Sequence, residues 1–132
     1  MRKNIMVILI MIFFAVSFMG CTKGVPTPEP GEYLDISVDK VQELINTDKN
    51  LLILDVRTPE EYNSGHIPGA KLIPLDELES RIGELNKEQT IVTVCLSGER
   101  SGMAARFLAQ NGFTKVYNMA GGMSVWKGQI EQ

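Results

Sequence analysis

The sequence predicts one α/β domain built on about five mostly parallel strands, with helices on both faces of the sheet. Three observations predict it. At 132 residues, 44% hydrophobic and 22% charged, the chain has the size and composition of a single globular domain. Leu51–Leu54 and Thr90–Val94 are continuous apolar or β-branched runs, the pattern of strands covered on both sides. Stretches of helical period separate such runs, as crossover connections between parallel strands require.

The first 32 residues stand apart. Arg2 and Lys3 precede Ile5–Val16, twelve residues without a charge. A basic start and an apolar run shorter than the ~20 residues of a membrane-spanning helix fit a secretory signal peptide over residues 1–20. Residues 22–32 read T-K-G-V-P-T-P-E-P-G-E, with three prolines and two glycines in eleven residues. With Cys21 they form a predicted tether over residues 21–32. Extended at ~3.1 Å per residue, it could hold a domain ~30 Å from a membrane.

The globular domain is expected over residues 33–132. Ser37 caps a helix whose apolar face is Val38, Val41, Leu44 and Ile45. The strand Leu51–Leu54 ends at Asp55. Thr58-Pro59-Glu60-Glu61 is a capping box with proline at the first helical position, and Gly65 closes that short helix. Lys71–Ile73 is a short strand. Leu75, Leu78, Ile82 and Leu85 keep a helical period. Thr90–Val94 is the central strand. Ala104, Phe107 and Leu108 mark a helix that begins near Ser101 and stops near Gly112. Lys115–Tyr117 is the last strand, and a C-terminal helix covers Met123 to Lys127. Open parallel sheets place their sites beyond the carboxyl ends of the strands, so Asp55, Arg57 and Cys95 are expected at one sheet edge.

Composition narrows the function classes. A net charge of −3 lacks the basic footprint of a nucleic-acid binder. Two cysteines and one histidine are too few for a Cys/His zinc site, so neither a metal nor a cofactor is expected. The single histidine, His66, precedes Ile67-Pro68-Gly69 and reads as a structural hydrogen-bonding residue. Asp55 and Arg57 read as a local ion pair. Met103, Met119 and Met123 read as packing residues, and Trp126 as a cover for the core.

The stretch that carries chemistry is Cys95-Leu96-Ser97-Gly98-Glu99-Arg100-Ser101. A cysteine ends a strand, a tight loop follows, and a helix begins. Such a loop can turn its backbone N–H groups toward one point, and the helix N-terminus adds positive potential. Gly98 admits a backbone angle that a side chain would oppose. Both effects favour the Cys95 thiolate over the thiol. The same nest can hold the terminal sulfur of a persulfide.

At this point the chain resembles the rhodanese-like sulfurtransferases. One block is Leu54-Asp55-Val56-Arg57, Glu60-Glu61-Tyr62 and Gly65-His66-Ile67-Pro68-Gly69-Ala70. The second is the Cys95–Ser101 loop. The third is Gly112-Phe113, Val116, Gly121-Gly122 and Trp126. Together they span roughly residues 35–129. The resemblance implies that Cys95 accepts sulfane sulfur from a donor, thiosulfate or a persulfide, and hands it to a thiophilic acceptor. It implies that Leu96, Ser97, Gly98, Glu99, Arg100 and Ser101 surround the substrate, with Arg100 binding a donor's anionic end or pinning the loop. Leu96 stands where many thiosulfate-using members carry a basic residue, and Glu99 adds a negative charge. Both imply weak affinity for thiosulfate.

Two other function classes share parts of this pattern. A phosphatase or arsenate-reductase-like enzyme also sets cysteine and arginine around an anion nest, but normally with five intervening residues. Here there are four, Leu96 to Glu99. A non-catalytic sulfur-binding or sensor module would more naturally lack the cysteine. A second resemblance concerns export. Phe18-Met19-Gly20-Cys21 is similar to a bacterial lipobox, with phenylalanine in place of the usual leucine. It implies lipidation of Cys21, cleavage before it, and anchoring in the cell envelope on the exported side of a membrane; a monomer is expected. Cleavage would remove Arg2 and Lys3 and take the net charge from −3 to −5.

Overall fold

The structure, a computed structural model, describes residues 24–132. The signal-like segment, Gly20 and Cys21 lie outside the described residues. The elements are β1 (Leu34–Ile36), α1 (Val38–Thr47), β2 (Leu51–Asp55), α2 (Pro59–Asn63), β3 (Lys71–Leu72), α3 (Leu78–Arg81), β4 (Thr90–Val94), α4 (Glu99–Gln110) and β5 (Val116–Met119). Short 3₁₀ turns cover Leu75–Glu77, Ile82–Glu84 and Gly122–Val125.

Five strands form one sheet in the order β1-β5-β4-β2-β3, and every pairing is parallel. Strand periodicity then divides the core into two layers. Leu54, Ile91 and Val116 face α3 and α4, packing on Leu78, Ala104, Ala105, Leu108 and Phe113. Ile53, Val92, Val94, Tyr117 and Met119 face the other side, against Val41 and Leu44 of α1, with Tyr62 and Trp126 at the margin. Burial on both faces is why β2 and β4 lack polar alternation.

The local signals act as their chemistry dictates. Ser37 caps α1 by accepting from the Lys40 amide at 3.3 Å. At α2 both halves of the capping box are made: the Glu61 N–H donates to Thr58 Oγ1, and the Thr58 N–H to Glu61 Oε2.

Four expectations need correction. The sequence singled out only four strands by residue. The fifth, β1, is three residues long and pairs only with β5, too short to show a period. The Leu75–Leu85 segment is not one helix but a 3₁₀ turn, one α-helical turn and a second 3₁₀ turn. Gly83 weakens helix propagation there, yet Leu78 and Leu85 stay buried. The C-terminal helix is a single 3₁₀ turn, because Trp126 is already extended. Finally, the proline-rich segment is not free along its length. Val25 packs on the α1 side of the core, Pro28 is buried, and the Tyr117 hydroxyl donates to the Pro26 carbonyl at 2.9 Å. Docked prolines cost little backbone entropy to order, since their φ angle is already restricted.

Leu54 lies at the centre of this arrangement, fully buried between β3, β4 and the α3/α4 layer. Leu54→Ala should lower unfolding free energy by about 3 kcal/mol, the middle of the range for a buried leucine truncated to alanine. Urea denaturation followed by circular dichroism checks this.

Candidate active site

The strand order places the site. From β2 the chain moves outward to β3, then returns to the opposite side of β2 to form β4. The crevice at such a reversal is open at the carboxyl ends of both strands. Asp55 and Val94 are register partners at those ends, and Cys95 is the next residue after Val94.

The loop after Cys95 is shorter than the sequence suggests. Gly98 is the N-cap of α4, with φ at +94°, and the helix starts at Glu99 rather than near Ser101. Arg100 and Ser101 therefore sit in the first helical turn. This puts the Ser101 hydroxyl 3.2 Å from Cys95 Sγ, while the Gly98 amide donates to the same sulfur at 3.1 Å. Thr93 fixes Ser101 from below by donating to its carbonyl at 2.9 Å.

The loop's carbonyls are held away from the sulfur. The Met123 and Ser124 amides donate to the Cys95 and Leu96 carbonyls at 2.8 and 3.0 Å. The side-chain amide of Asn118 donates to the Gly98 carbonyl at 3.0 Å and to Asp35 at 2.8 Å. A trans peptide carries its N–H opposite its C=O, so pinning the Leu96 carbonyl outward turns the Ser97 amide toward the sulfur, while the Glu99 amide donates to Ser97 Oγ at 3.4 Å. Gly122 makes the contact possible. A Cβ there would lie 2.5 Å from the Cys95 oxygen and from the Leu96 carbonyl group.

Cys95 is fully buried, and burial alone pushes its thiol pKa up. The Ser101 hydroxyl and the Ser101, Gly98 and Ser97 amides outweigh that effect, so the thiol lies below its ordinary range. Full burial also means that a reagent reaches the sulfur only after neighbouring groups move aside. Leu96 and Ser97, the next two residues, are exposed, Leu96 by half. The Glu99 side chain is at the surface.

Two ion pairs frame the loop. Arg57 donates from Nε and Nη2 to the Asp55 carboxylate, at 2.7 to 3.1 Å, and from Nη2 to the Gly65 carbonyl at 2.9 Å. Both residues of this pair are buried. Arg100 makes a two-pronged pair with Glu61, at 2.7 and 2.8 Å. The Arg100 guanidinium holds the Glu61 carboxyl down at about 2, and Glu61 in turn raises Arg100. A cleft of about 420 Å³ beside the loop is lined by Arg57, Glu61, Met123, Trp126 and Lys127, among others.

His66 stands apart from the sulfur. Its ring stacks on Tyr62 at 3.6 Å, Nδ1 lies 2.9 Å from the Tyr62 carbonyl, and Nε2 lies 3.3 Å from Glu131. Among the described residues no group of three His, Cys, Asp or Glu side chains could hold a metal. Of the three methionines, Met119 is buried, Met123 half-buried and Met103 exposed on the outer face of α4. Sequence reasoning gave no role to Asn118, nor to the Glu61–Arg100 contact. Glu61 is marked in the sequence as a capping residue and as part of the first block of the resemblance, neither of which points to Arg100, and no local pattern marks Asn118.

Residues 37–129 match the family model for the rhodanese-like domain. This chain belongs to that family. It is similar to the putative sulfur carrier protein YrkF of Bacillus subtilis, at 46% identity over 97 residues, covering 74% of this chain and 52% of the relative. The chain thus spans about half the length of that protein. Similarity to the thiosulfate sulfurtransferase GlpE of Pseudoalteromonas translucida is 35% over 92 residues, covering 70% of this chain and 87% of the relative. Among solved structures, a rhodanese-like domain protein from Staphylococcus aureus superposes with a TM-score of 0.68 at 36% identity, over 74% of this chain and 95% of that one.

The donor set around Cys95 makes a checkable claim. Alkylation by iodoacetamide, read on the Cys95 peptide by mass spectrometry, should rise with a pH midpoint below the ordinary ~8.5 of a free thiol. Ser101→Ala should move that midpoint up by about one unit, the effect of losing one hydrogen bond to a charged sulfur.

Proposed function

We propose that this rhodanese-like domain is a sulfurtransferase working through a persulfide on Cys95. The observation that carries the reading is the ring of donors on one sulfur: Ser101 Oγ and the Gly98 amide at hydrogen-bond distance, with further loop amides turned the same way. In the first step the Cys95 thiolate attacks the sulfane sulfur of the donor. The donor's S–S bond breaks, and its remainder, sulfite or a thiolate, leaves with the electron pair. In the second step a thiophilic acceptor, cyanide or a thiol in the assay, attacks the terminal sulfur, and Cys95 departs as thiolate. The same donors serve both steps, because they stabilise that thiolate as nucleophile and as leaving group.

Loop length favours this chemistry over phosphate transfer. Only four residues separate Cys95 from Arg100. One of them, Gly98, is held against the Gly121 amide, where even a Cβ would come within 3.1 Å. A terminal sulfur needs room for one atom, whereas a phosphoryl group needs room for three oxygens.

Incubation of the protein with thiosulfate should add the mass of one sulfur atom at Cys95. Cys95→Ser should abolish transfer to cyanide, since serine forms no persulfide. Phosphate ester hydrolysis faster than sulfur transfer would move the protein to the phosphatase class.

The cellular setting is part of the same proposal. Export, lipidation at Cys21 and attachment of a monomer to an envelope membrane rest on the apolar segment and the Gly20-Cys21 pair. Cys21→Ser should shift the protein from the detergent phase to the aqueous phase, or leave it unprocessed. Equal partitioning of both forms, with no acyl mass on the wild type, would remove the anchor.

A further inference from the structure

Both guanidinium groups at the site edge are committed to carboxylates of this chain. Arg57 is held by Asp55 and the Gly65 carbonyl. Arg100, the one cation that the cysteine loop itself carries, is held by both oxygens of Glu61. That pair joins α2 to the first turn of α4 and is only about one-third exposed, at 36% and 30% for the two side chains. The remaining loop side chains offer an incoming anion nothing positive: Leu96 is apolar, Ser97 neutral and Glu99 acidic.

Glu61 is also unusually well fixed for a surface carboxylate. Its Oε2 accepts the Thr58 amide of the capping box as well as Arg100. The helix cap thus orders the carboxylate before it meets the arginine, so little side-chain entropy is lost in closing the pair. Arg100 in turn lies within electrostatic range of Cys95.

We propose that Glu61 is a specificity-determining residue that withdraws Arg100 from incoming anions, so that the site disfavours small dianionic sulfur donors and favours persulfides whose leaving group is a thiolate of single charge. The donor side of this inference rests on the sulfurtransferase reading. The electrostatic side does not, because any anion approaching Cys95 meets the same neutralised arginine. In the first half-reaction with thiosulfate, the thiolate and the dianion must approach, and sulfite leaves as a dianion. With a persulfide of an uncharged thiol, the dianionic leaving group is absent.

The test separates the two layers. Cys95 in the full-length protein is alkylated with iodoacetate and, separately, with iodoacetamide, and both rates are read on the Cys95 peptide. The reagents share a leaving group and nearly a size, so the opening step that exposes the buried sulfur cancels in the ratio. Glu61→Gln keeps an oxygen for the Thr58 amide but releases the charge on Arg100. It should raise the iodoacetate-to-iodoacetamide ratio about tenfold, as one uncompensated nearby cation would. Adding Arg100→Ala to Glu61→Gln should remove most of that gain. Thr58→Ala, which weakens the cap and leaves the pair, should change the ratio little. An unchanged ratio in Glu61→Gln, or a gain that survives the loss of Arg100, overturns the proposal. In turnover, Glu61→Gln should lower KM for thiosulfate about tenfold while KM for N-acetylcysteamine persulfide moves less than twofold. A wild type that transfers sulfur from neither donor defeats the sulfurtransferase reading, while the alkylation ratios still decide whether Glu61 screens Arg100.

Discussion

The Cys95–Leu96 peptide rests directly on Gly122, closer than any side chain would permit. The rest of the site depends on this contact. It brings the Met123 and Ser124 amides onto two consecutive loop carbonyls and so sets which way those peptide planes face. Without it the loop could rotate a carbonyl toward the sulfur, and an oxygen lone pair there would oppose the thiolate. Gly98 supplies the complementary bend at the other end of the loop, where Asn118 holds its carbonyl. Four residues between strand and helix are enough because the neighbouring segments, not the loop's own length, fix its shape.

Charge is used economically around this nest. A buried ion pair such as Asp55–Arg57 gives up hydration on both partners and is poor evidence of stability by itself. Here it has structural reach. Arg57 also ties the Gly65 carbonyl, which follows α2, to the end of β2. α2 carries Glu61, and Glu61 reaches Arg100 in α4. The carboxyl ends of β2 and β4 and the helices that follow them are thus linked by three charge-assisted contacts around one cysteine. The thiolate is stabilised mainly by neutral donors, and the Arg100 guanidinium is occupied by Glu61.

The sheet topology explains why one cysteine can collect so many partners. β4 is flanked by β2 and β5, so the residue after it lies between the loops that follow both neighbours. The β2 side contributes α2 and its carboxylate. The β5 side contributes Asn118, Gly122 and the amides of Met123 and Ser124. Each comes from a segment distant in sequence, and each is rigidly attached to a buried strand.

Sequence alone was sufficient wherever a short-range rule governs. The apolar runs of β2 and β4, the Ser37 cap, the Thr58–Glu61 capping box and the cysteine-loop-helix pattern are all local, and their physics acts over a few residues. From these the α/β class, the shared sheet edge of Asp55 and Cys95 and the candidate nucleophile follow. Tertiary structure decided what depends on residues tens of positions apart. β1 exists because β5 offers it an edge, not because three residues show a period. The Leu75–Leu85 stretch breaks into three turns because packing holds its leucines in place while Gly83 loosens the backbone. Val25 and Pro28 become part of the domain because Tyr117 and the α1-side core receive that segment. Arg100 is bound to Glu61, 39 residues away, only once β2 and β4 are paired. A sequence pattern records which groups are near along the chain; which charges cancel and which carbonyls are turned outward is settled by contacts that exist only after the sheet has formed.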